Sequence, residues 1–320
     1  MIEVPFQADG SVAEHLAELT RRVGPAVEAD VREIVGRRSA GALDGSTVGA
    51  FDAAALVARH GLASSAELAL LALPIAVAMA RPPISGYRVA AIGIEGETGD
   101  LVLGANLEFP GTDLATTVHA EGFVALRARR RGRSLVTLAV REAHPCAHCR
   151  QTLAESAAVD GLTLIDPLGH ALTLADLYPW PFRPAALGVE GDTPARVEWP
   201  DLAFVAPAPA ADVGEALLEA GTRAHAPYSK APSAVVLRLR DGPLLGAGCV
   251  ESVAFNPSIT ALQAALVELA AARVDPAEVV EGWLARTDAG IVDPEAGFRA
   301  LLGAVAPHAG AHVARWRLAR

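Results

Sequence analysis

The chain is short of several things, and each shortage removes a class of function. It has three cysteines, an odd number, which argues against a disulfide framework. Its first residues, "MIEVPFQADGSVAEHLAELTRRV", lack a basic segment followed by an apolar one, so no secretory leader is expected and a reducing cytoplasm is the expected setting. The longest apolar run, "LALLALPIAVAMA" at 68–80, has thirteen residues and is interrupted by Pro74. A membrane span needs about 20, so no membrane partner is expected. Positive charge is also scarce: 27 Lys and Arg against 37 Asp and Glu leave a net charge of −10. The field of such a chain repels polyanions, so no nucleic-acid partner is expected. The local basic run "RARRRGR" at 127–133 reads as the solvated end of a helix, where cations complement the dipole.

What remains is a chain of 320 residues rich in Ala, Val and Leu, long enough for two cores. Residues 1–50 read as an N-terminal helical segment, from apolar positions at three- and four-residue spacing in "SVAEHLAELTRRVGPAVEADVREIVG". A further helical pattern runs to the breaker "RPPISG". Beyond it "YRVAAIGIEG", "LVLGANLEF" and "SLVTLAV" read as strands separated by helices, the pattern of an α/β domain over 51–180. Seven prolines between 179 and 210 mark 181–210 as an extended, packed linker, with Trp180 and Trp199 anchoring it by burial.

A second α/β pattern occupies 211–320 and resembles a worn copy of the first. "PYSKAPSAVVLRL", "GPLLGAGCVES" and "LQAALVEL" follow "PISGYRVAAIGIE", "GDLVLGANLEF" and "VHAEGFVAL". A spacing of 144 residues sets Pro227 against Pro83 and Gln263 against His119, and places Ala265 against Glu121. The copy has no metal-ligand pattern of its own, so its chemistry is expected to be lost.

The residues that invite chemistry are in the first copy. "TTVHAEGFVAL" at 116–126 places His119 and Glu121 two residues apart, and "REAHPCAHCRQTLAE" at 141–155 holds Cys146 and Cys149. One imidazole and two thiolates are good zinc ligands, and three protein ligands with an open position describe a catalytic site. A fourth ligand from Cys249 would make the site structural, but Cys249 reads better as a small buried residue. Cys146 and Cys149 share one face of a helical turn, and Pro145 suits the start of that helix. Residues i and i+2 diverge in mid-helix, so His119 and Glu121 can face one centre only at a helix end. Thr116 and Thr117 are the candidate N-caps there. Two helix N-termini are therefore expected to converge on one metal, with His144 and His148 pointing away. H-x-E followed by P-C-x-x-C, with Cys146 25 residues beyond Glu121, is the recognised signature of zinc nucleobase deaminases.

With these motifs, and with "GANLEF", "APYSKAPS" and "AFNP", the chain resembles the bacterial two-domain, homodimeric cytidine deaminases over nearly its whole length. The resemblance implies a duplicated three-layer α/β/α fold, and Zn²⁺ held by His119, Cys146 and Cys149. It implies Glu121 as proton shuttle, Asn106 and Glu108 on the ribose hydroxyl, and Tyr87 beside the pyrimidine. It also implies a nucleoside substrate and a homodimer in which the metal-free half of one subunit, through the segment of Ala254 and Phe255, completes the other's active site. The implied reaction is hydrolytic deamination of cytidine and 2′-deoxycytidine in pyrimidine salvage.

Three positions depart from the family pattern: Gly122 stands in place of Gln, Ala147 in place of Gly, and Tyr87 in place of Phe. These changes motivate an alternative substrate, a modified cytosine nucleoside. Polynucleotide editing is disfavoured by the acidic balance, since a bound strand needs a basic groove. A purely structural zinc protein is disfavoured by Glu121, for which a structural site has no use.

Overall fold

The computed structural model describes residues 8–39, 45–141, 144–156, 158–192 and 201–318. Trp199 lies outside them. Two sheets form, one from each half of the chain. In the first half the helices are α1 (Gly10–Ser39), α2 (Ala50–His60), α3 (Ser65–Val77), α4 (Ala120–Arg130), α5 (Ala147–Leu153) and α6 (Leu174–Leu177). The strands are β1 (Thr47–Val48), β2 (Ala90–Glu95), β3 (Leu101–Ala105), β4 (Leu135–Arg141), β5 (Thr163–Ile165) and β6 (Ala171–Thr173), in sheet order β1-β3-β2-β4-β5-β6. The second half has α7 (Ala211–Thr222), α8 (Ala261–Ala271) and α9 (Glu295–Val305). Its strands are β7 (Leu202–Val205), β8 (Ser233–Leu239), β9 (Leu244–Gly248), β10 (Val279–Thr287) and β11 (Gly310–Leu318), in the order β7-β11-β10-β8-β9.

The two sheets share a plan. β3-β2-β4-β5 and β9-β8-β10-β11 each run antiparallel except for the β4–β5 and β10–β11 pairs, which are parallel. β7 falls within the proline-rich stretch and pairs with β11 as an edge strand.

Alternation along β2 explains the layers. Ala90, Ile92 and Ile94 join the large core that also holds α3 residues Leu68, Leu71 and Ile75, while Ala91 faces the cluster with Val124 of α4. α4 packs so closely on the sheet that a side chain at Gly104 would meet Phe123 and Val124 at 2.7 Å. α3 is apolar all round, as a helix buried between layers must be. Ser64 caps it by accepting from the Glu67 N–H. Among the described residues no single helix is long and apolar enough to cross a membrane.

The halves are joined by charge as well as by core. The basic run 127–133, expected to be solvated, is not: Arg127 is 1% exposed and pairs with Glu268 of α8, itself 2% exposed. Arg130 also reaches Glu268, Arg129 pairs with Asp192, and Arg131 pairs with Glu95 and Asp100. Partners up to 141 residues away turned a surface pattern into a paired and partly buried one. Trp180, expected to anchor by burial, is 92% exposed.

The structure also corrects the repeat alignment. Both α4 and α8 have eleven residues, and their N-caps are His119 and Thr260, with nearly identical extended backbones. Leu107 bridges Val118 just as Val250 bridges Ile259. Thr260 therefore stands where His119 does, Leu262 where Glu121 does, and Gln263 where Gly122 does. The offset of 144 holds near Pro83 and Pro227, but two fewer residues between Glu251 and Thr260 than between Glu108 and His119, among other gaps, reduce it to 141 at the helices.

Candidate metal centre and nucleoside site

Strand pairing brings the site together. Ala90 at the start of β2 pairs with Ala105 at the end of β3 and with Arg141 at the end of β4. The chain leaving β3 through Asn106 and Glu108 and the chain leaving β4 toward Cys146 thus emerge at one end of the sheet.

His119 is itself the N-cap of α4, and Glu121 sits in the first turn, so both look along the helix axis as their spacing requires. Thr116 and Thr117 do not cap this helix. Thr116 closes a 3-10 turn, Leu114–Thr116, capped by Asp113, and the backbone bonds between Val118 and Leu107 hold residue 118 extended until His119. Cys146 is likewise the N-cap of α5, with Cys149 in its first turn; Pro145 lies one place before the cap, not inside the helix.

His119 Nδ1 is 3.5 Å from Cys146 Sγ and 3.3 Å from Cys149 Sγ, and the two sulfurs are 3.7 Å apart. Bond lengths of about 2.3 Å to sulfur and about 2.0–2.1 Å to nitrogen make the edges of a zinc tetrahedron roughly 3.8 Å for S···S and roughly 3.6 Å for S···N. The three donors therefore fit zinc. The hydrogen bond between the two thiols holds Cys146 down, to about 4, and pushes Cys149 up, in the same sense as its burial. A metal bound here would take both as thiolates and release their protons. Glu121 is 4% exposed, and burial pushes its carboxyl up. A carboxyl of this kind beside a metal centre suits proton transfer near neutral pH.

The neighbouring histidines are turned elsewhere. His144 Nε2 bonds Asp166 Oδ2 at 2.7 Å, and the same oxygen bonds His170 Nδ1 at 2.7 Å. His148 is exposed, its ring centroid 6.4 Å from that of His119.

Asn106 accepts from the Val89 N–H at 3.0 Å and donates to the Tyr87 carbonyl at 2.9 Å. It still has one N–H and one lone pair to offer a ligand. Glu108 accepts from the N–H groups of Ile84 and Ser85 at 2.8 and 2.9 Å and from the Ser85 hydroxyl at 2.5 Å. Burial acts to raise its pKa, but these bonds outweigh it and hold the carboxyl below its usual value. Tyr87, in the loop so fastened, is 52% exposed.

The degenerate half repeats this framework without the metal donors. Glu251 accepts from the N–H groups of Tyr228 and Ser229 and from the Ser229 hydroxyl, and Cys249, 8% exposed, takes the place of Asn106. Two side chains, Gln263 and Glu155, carry hydrogen bonds between the halves near the site. Gln263 donates to the Thr116 carbonyl at 2.8 Å, just before His119. Glu155, which follows α5, accepts from the Tyr228 hydroxyl at 2.6 Å and the Val253 N–H at 2.8 Å, and bonds His225 at 2.8 Å. Sequence reasoning missed Glu155 because its partners lie 70–98 residues away.

Comparison with known proteins agrees with this doubled framework. Two models described as the cytidine and deoxycytidylate deaminase zinc-binding region match residues 64–163 and 174–296. A cytidine deaminase of Serratia proteamaculans (strain 568) is 35% identical over 78% of this chain and 83% of its own length. The chain belongs to the cytidine and deoxycytidylate deaminase family. A cytidine deaminase of Shewanella sp. (strain W3-18-1) is 37% identical over 64% of this chain and 68% of its own. The crystal structure of cytidine deaminase from Mycobacterium tuberculosis covers 34% of this chain and 89% of its own, at 29% identity and a TM-score of 0.31. That overlap is too small to bear on the fold, which rests on the two sheets themselves. The deaminases of this family act on small nucleosides or nucleotides, in keeping with a small-molecule site.

Proposed function

We propose that this chain hydrolyses cytidine and 2′-deoxycytidine to uridine and 2′-deoxyuridine plus ammonia, in pyrimidine salvage in the cytoplasm. The observation that carries the reading is the convergence of His119, Cys146 and Cys149 at zinc-ligand spacing beside a buried Glu121. Zinc, when bound there, supplies a Lewis acid that makes water nucleophilic near neutral pH. Glu121 is not a ligand. It takes one proton of the attacking water and delivers it to N3 of the ring as oxygen adds at C4, then takes the second proton from that oxygen and passes it to the exocyclic amine, so that the C–N bond breaks, the carbonyl forms and ammonia departs. Asn106 and Glu108 orient the ribose through its hydroxyl, and Tyr87 packs beside the base. The cytidine deaminases among the relatives do not favour a modified cytosine nucleoside as the substrate.

The working unit in this reading is a homodimer. His119 and Cys146 are exposed, and Ile84, Tyr87 and Leu114, in the segments flanking the site, are 50%, 52% and 70% exposed. Phe255 of the degenerate half is 61% exposed and held at a φ of 61°. Docking of this segment over the partner's site supports water exclusion at the reacting carbon. Mixing a Phe255→Ala chain with a Glu121→Ala chain tests the exchange: hybrid dimers regain a competent site if the segment acts across the dimer, and do not if it acts within its own chain.

The decisive assay is loss of the cytosine absorbance band when zinc-loaded protein is incubated with cytidine and with deoxycytidine. Turnover that falls by a factor of about 10²–10⁴ or more in Glu121→Ala is expected. No turnover of either nucleoside by protein with zinc bound would sink the reading.

A further inference from the structure

A cavity of about 260 Å³ lies where the halves meet, away from the metal donors. Three arginines line it: Arg32 from α1, Arg81 after α3, and Arg273 just past α8. Ile75, Met79 and Ala270 form its apolar floor. No carboxylate lines it among the described residues. In a chain of net charge −10, three guanidinium groups without a facing acid are a local reversal of sign.

Little on the protein satisfies them. Arg32 approaches Glu28, one turn back on its own helix, only to 3.9 Å, with the arginine exposed to water and the carboxylate half-exposed. Arg81 donates to the Val274 carbonyl at 3.4 Å. The Arg273 guanidinium has no hydrogen-bond or ion-pair partner among the described residues. Partial burial and the nearby Arg32 charge hold its guanidinium below the usual arginine value.

Arg273 also occupies an unusual place. It ends α8 with a φ of 59°, its N–H bonded to Ala270 O and the next N–H to Leu269 O. This is the helix ending that glycine ordinarily fills. The equivalent ending of α4 does use glycine: Gly132 has a φ of 72°, with the matching bonds from Gly132 to Arg129 and from Arg133 to Ala128. The half that lost its metal donors thus carries an arginine in a left-handed position where the other half keeps glycine. Arg81 is fixed too, since its backbone N–H donates to Asn106 O and its carbonyl accepts from the Glu108 N–H.

We propose that this three-arginine cavity binds a phosphate-bearing small-molecule anion. Guanidinium groups match phosphate oxygens in geometry as well as charge. The apolar floor leaves room for part of an organic group, so the anion is either inorganic or the phosphate end of a nucleotide. This site is independent of the deaminase reading.

Calorimetric titration of the zinc-loaded full chain at low salt, with inorganic pyrophosphate and with uridine triphosphate, tests it. Saturable binding of at least one anion is expected, weakened about tenfold or more in Arg32→Gln and in Arg273→Gly and weakened by added salt. Equal binding of both anions assigns recognition to phosphate alone, and tighter binding of the nucleotide assigns part of it to the floor. Arg273→Gly relieves the left-handed backbone, so the ligand-free variant should melt above the wild type, yet gain less from the anion. No saturable binding of either anion, or binding untouched by both substitutions, overturns the proposal.

Discussion

The two halves of this molecule share a sheet plan, an eleven-residue helix on the same strands, and a carboxylate that fastens the same loop, yet among the described residues only one holds a cluster of metal donors. Where α4 begins with His119 and Glu121, α8 begins with Thr260 and Leu262. Thr260 and Gln263 form a reciprocal capping box, so the second helix satisfies its own N-terminus; the first leaves its N-cap side chain without such a bond. Metal binding and helix capping compete for the same position. The half that gave up the metal gained a local stabiliser, and the half that kept it does without.

The retained Glu251 sharpens the lesson. Its three bonds repeat those of Glu108 in a half with no metal donors in the matching place, so fastening the loop is a structural duty that Glu108 also carries. In the proposed function, ribose recognition would be added to that duty.

Substitutions at matched positions can break this comparison, and the largest effect is expected at the helix starts. His119→Ala should abolish tight zinc binding and turnover, whereas Thr260→Ala should leave zinc content intact and cost about 1 kcal/mol of stability, read by metal analysis and denaturant unfolding. Next in size is the charge pair that joins α4 to α8. Glu268→Ala leaves Arg127 buried without its carboxylate and should cost about 3–5 kcal/mol, and replacing both residues by apolar ones of similar volume should recover most of it.

A smaller effect concerns pH. Burial acts to raise Asp166, but bonds from His170 and His144 outweigh it and hold the folded-state carboxyl below the ordinary value of about 3.9. Its contribution is therefore complete above that value and is lost as pH falls through the lower folded value. Asp166→Asn should flatten the acid limb of the stability profile below pH ~5, as equilibrium unfolding would show. The smallest effect is expected at Gly122, where an added Cβ meets nothing nearer than Val118 Cγ1 at 3.9 Å. Gly122→Gln, which copies Gln263, should gain up to about 1 kcal/mol in thermal unfolding without changing zinc content.

Much of the site is legible in the sequence, because its signals are local. H-x-E and P-C-x-x-C are short, and the demand that His119 and Glu121 share a helix end follows from helix geometry alone. The misreadings have a common cause in distance. The Thr116 and Thr117 caps failed because Leu107, eleven residues earlier, holds Val118 extended. The basic run is buried at Arg127 and half-buried beyond it because Glu268, Asp192, Glu95 and Asp100 come to meet it from other elements. The repeat is legible in the sequence but its alignment there is one helical turn out, since short gaps in loops carry no pattern and the paired bridges fix the register. Trp180 shows that an aromatic beside prolines is not thereby buried.

Zinc analysis of the wild type beside Cys149→Ala and Cys249→Ala most directly tests the claim that one half is a metal centre and the other a metal-free copy. The account predicts one zinc per chain, lost in Cys149→Ala and retained in Cys249→Ala. A second zinc per chain, or zinc that survives Cys149→Ala and disappears with Cys249→Ala, would contradict it.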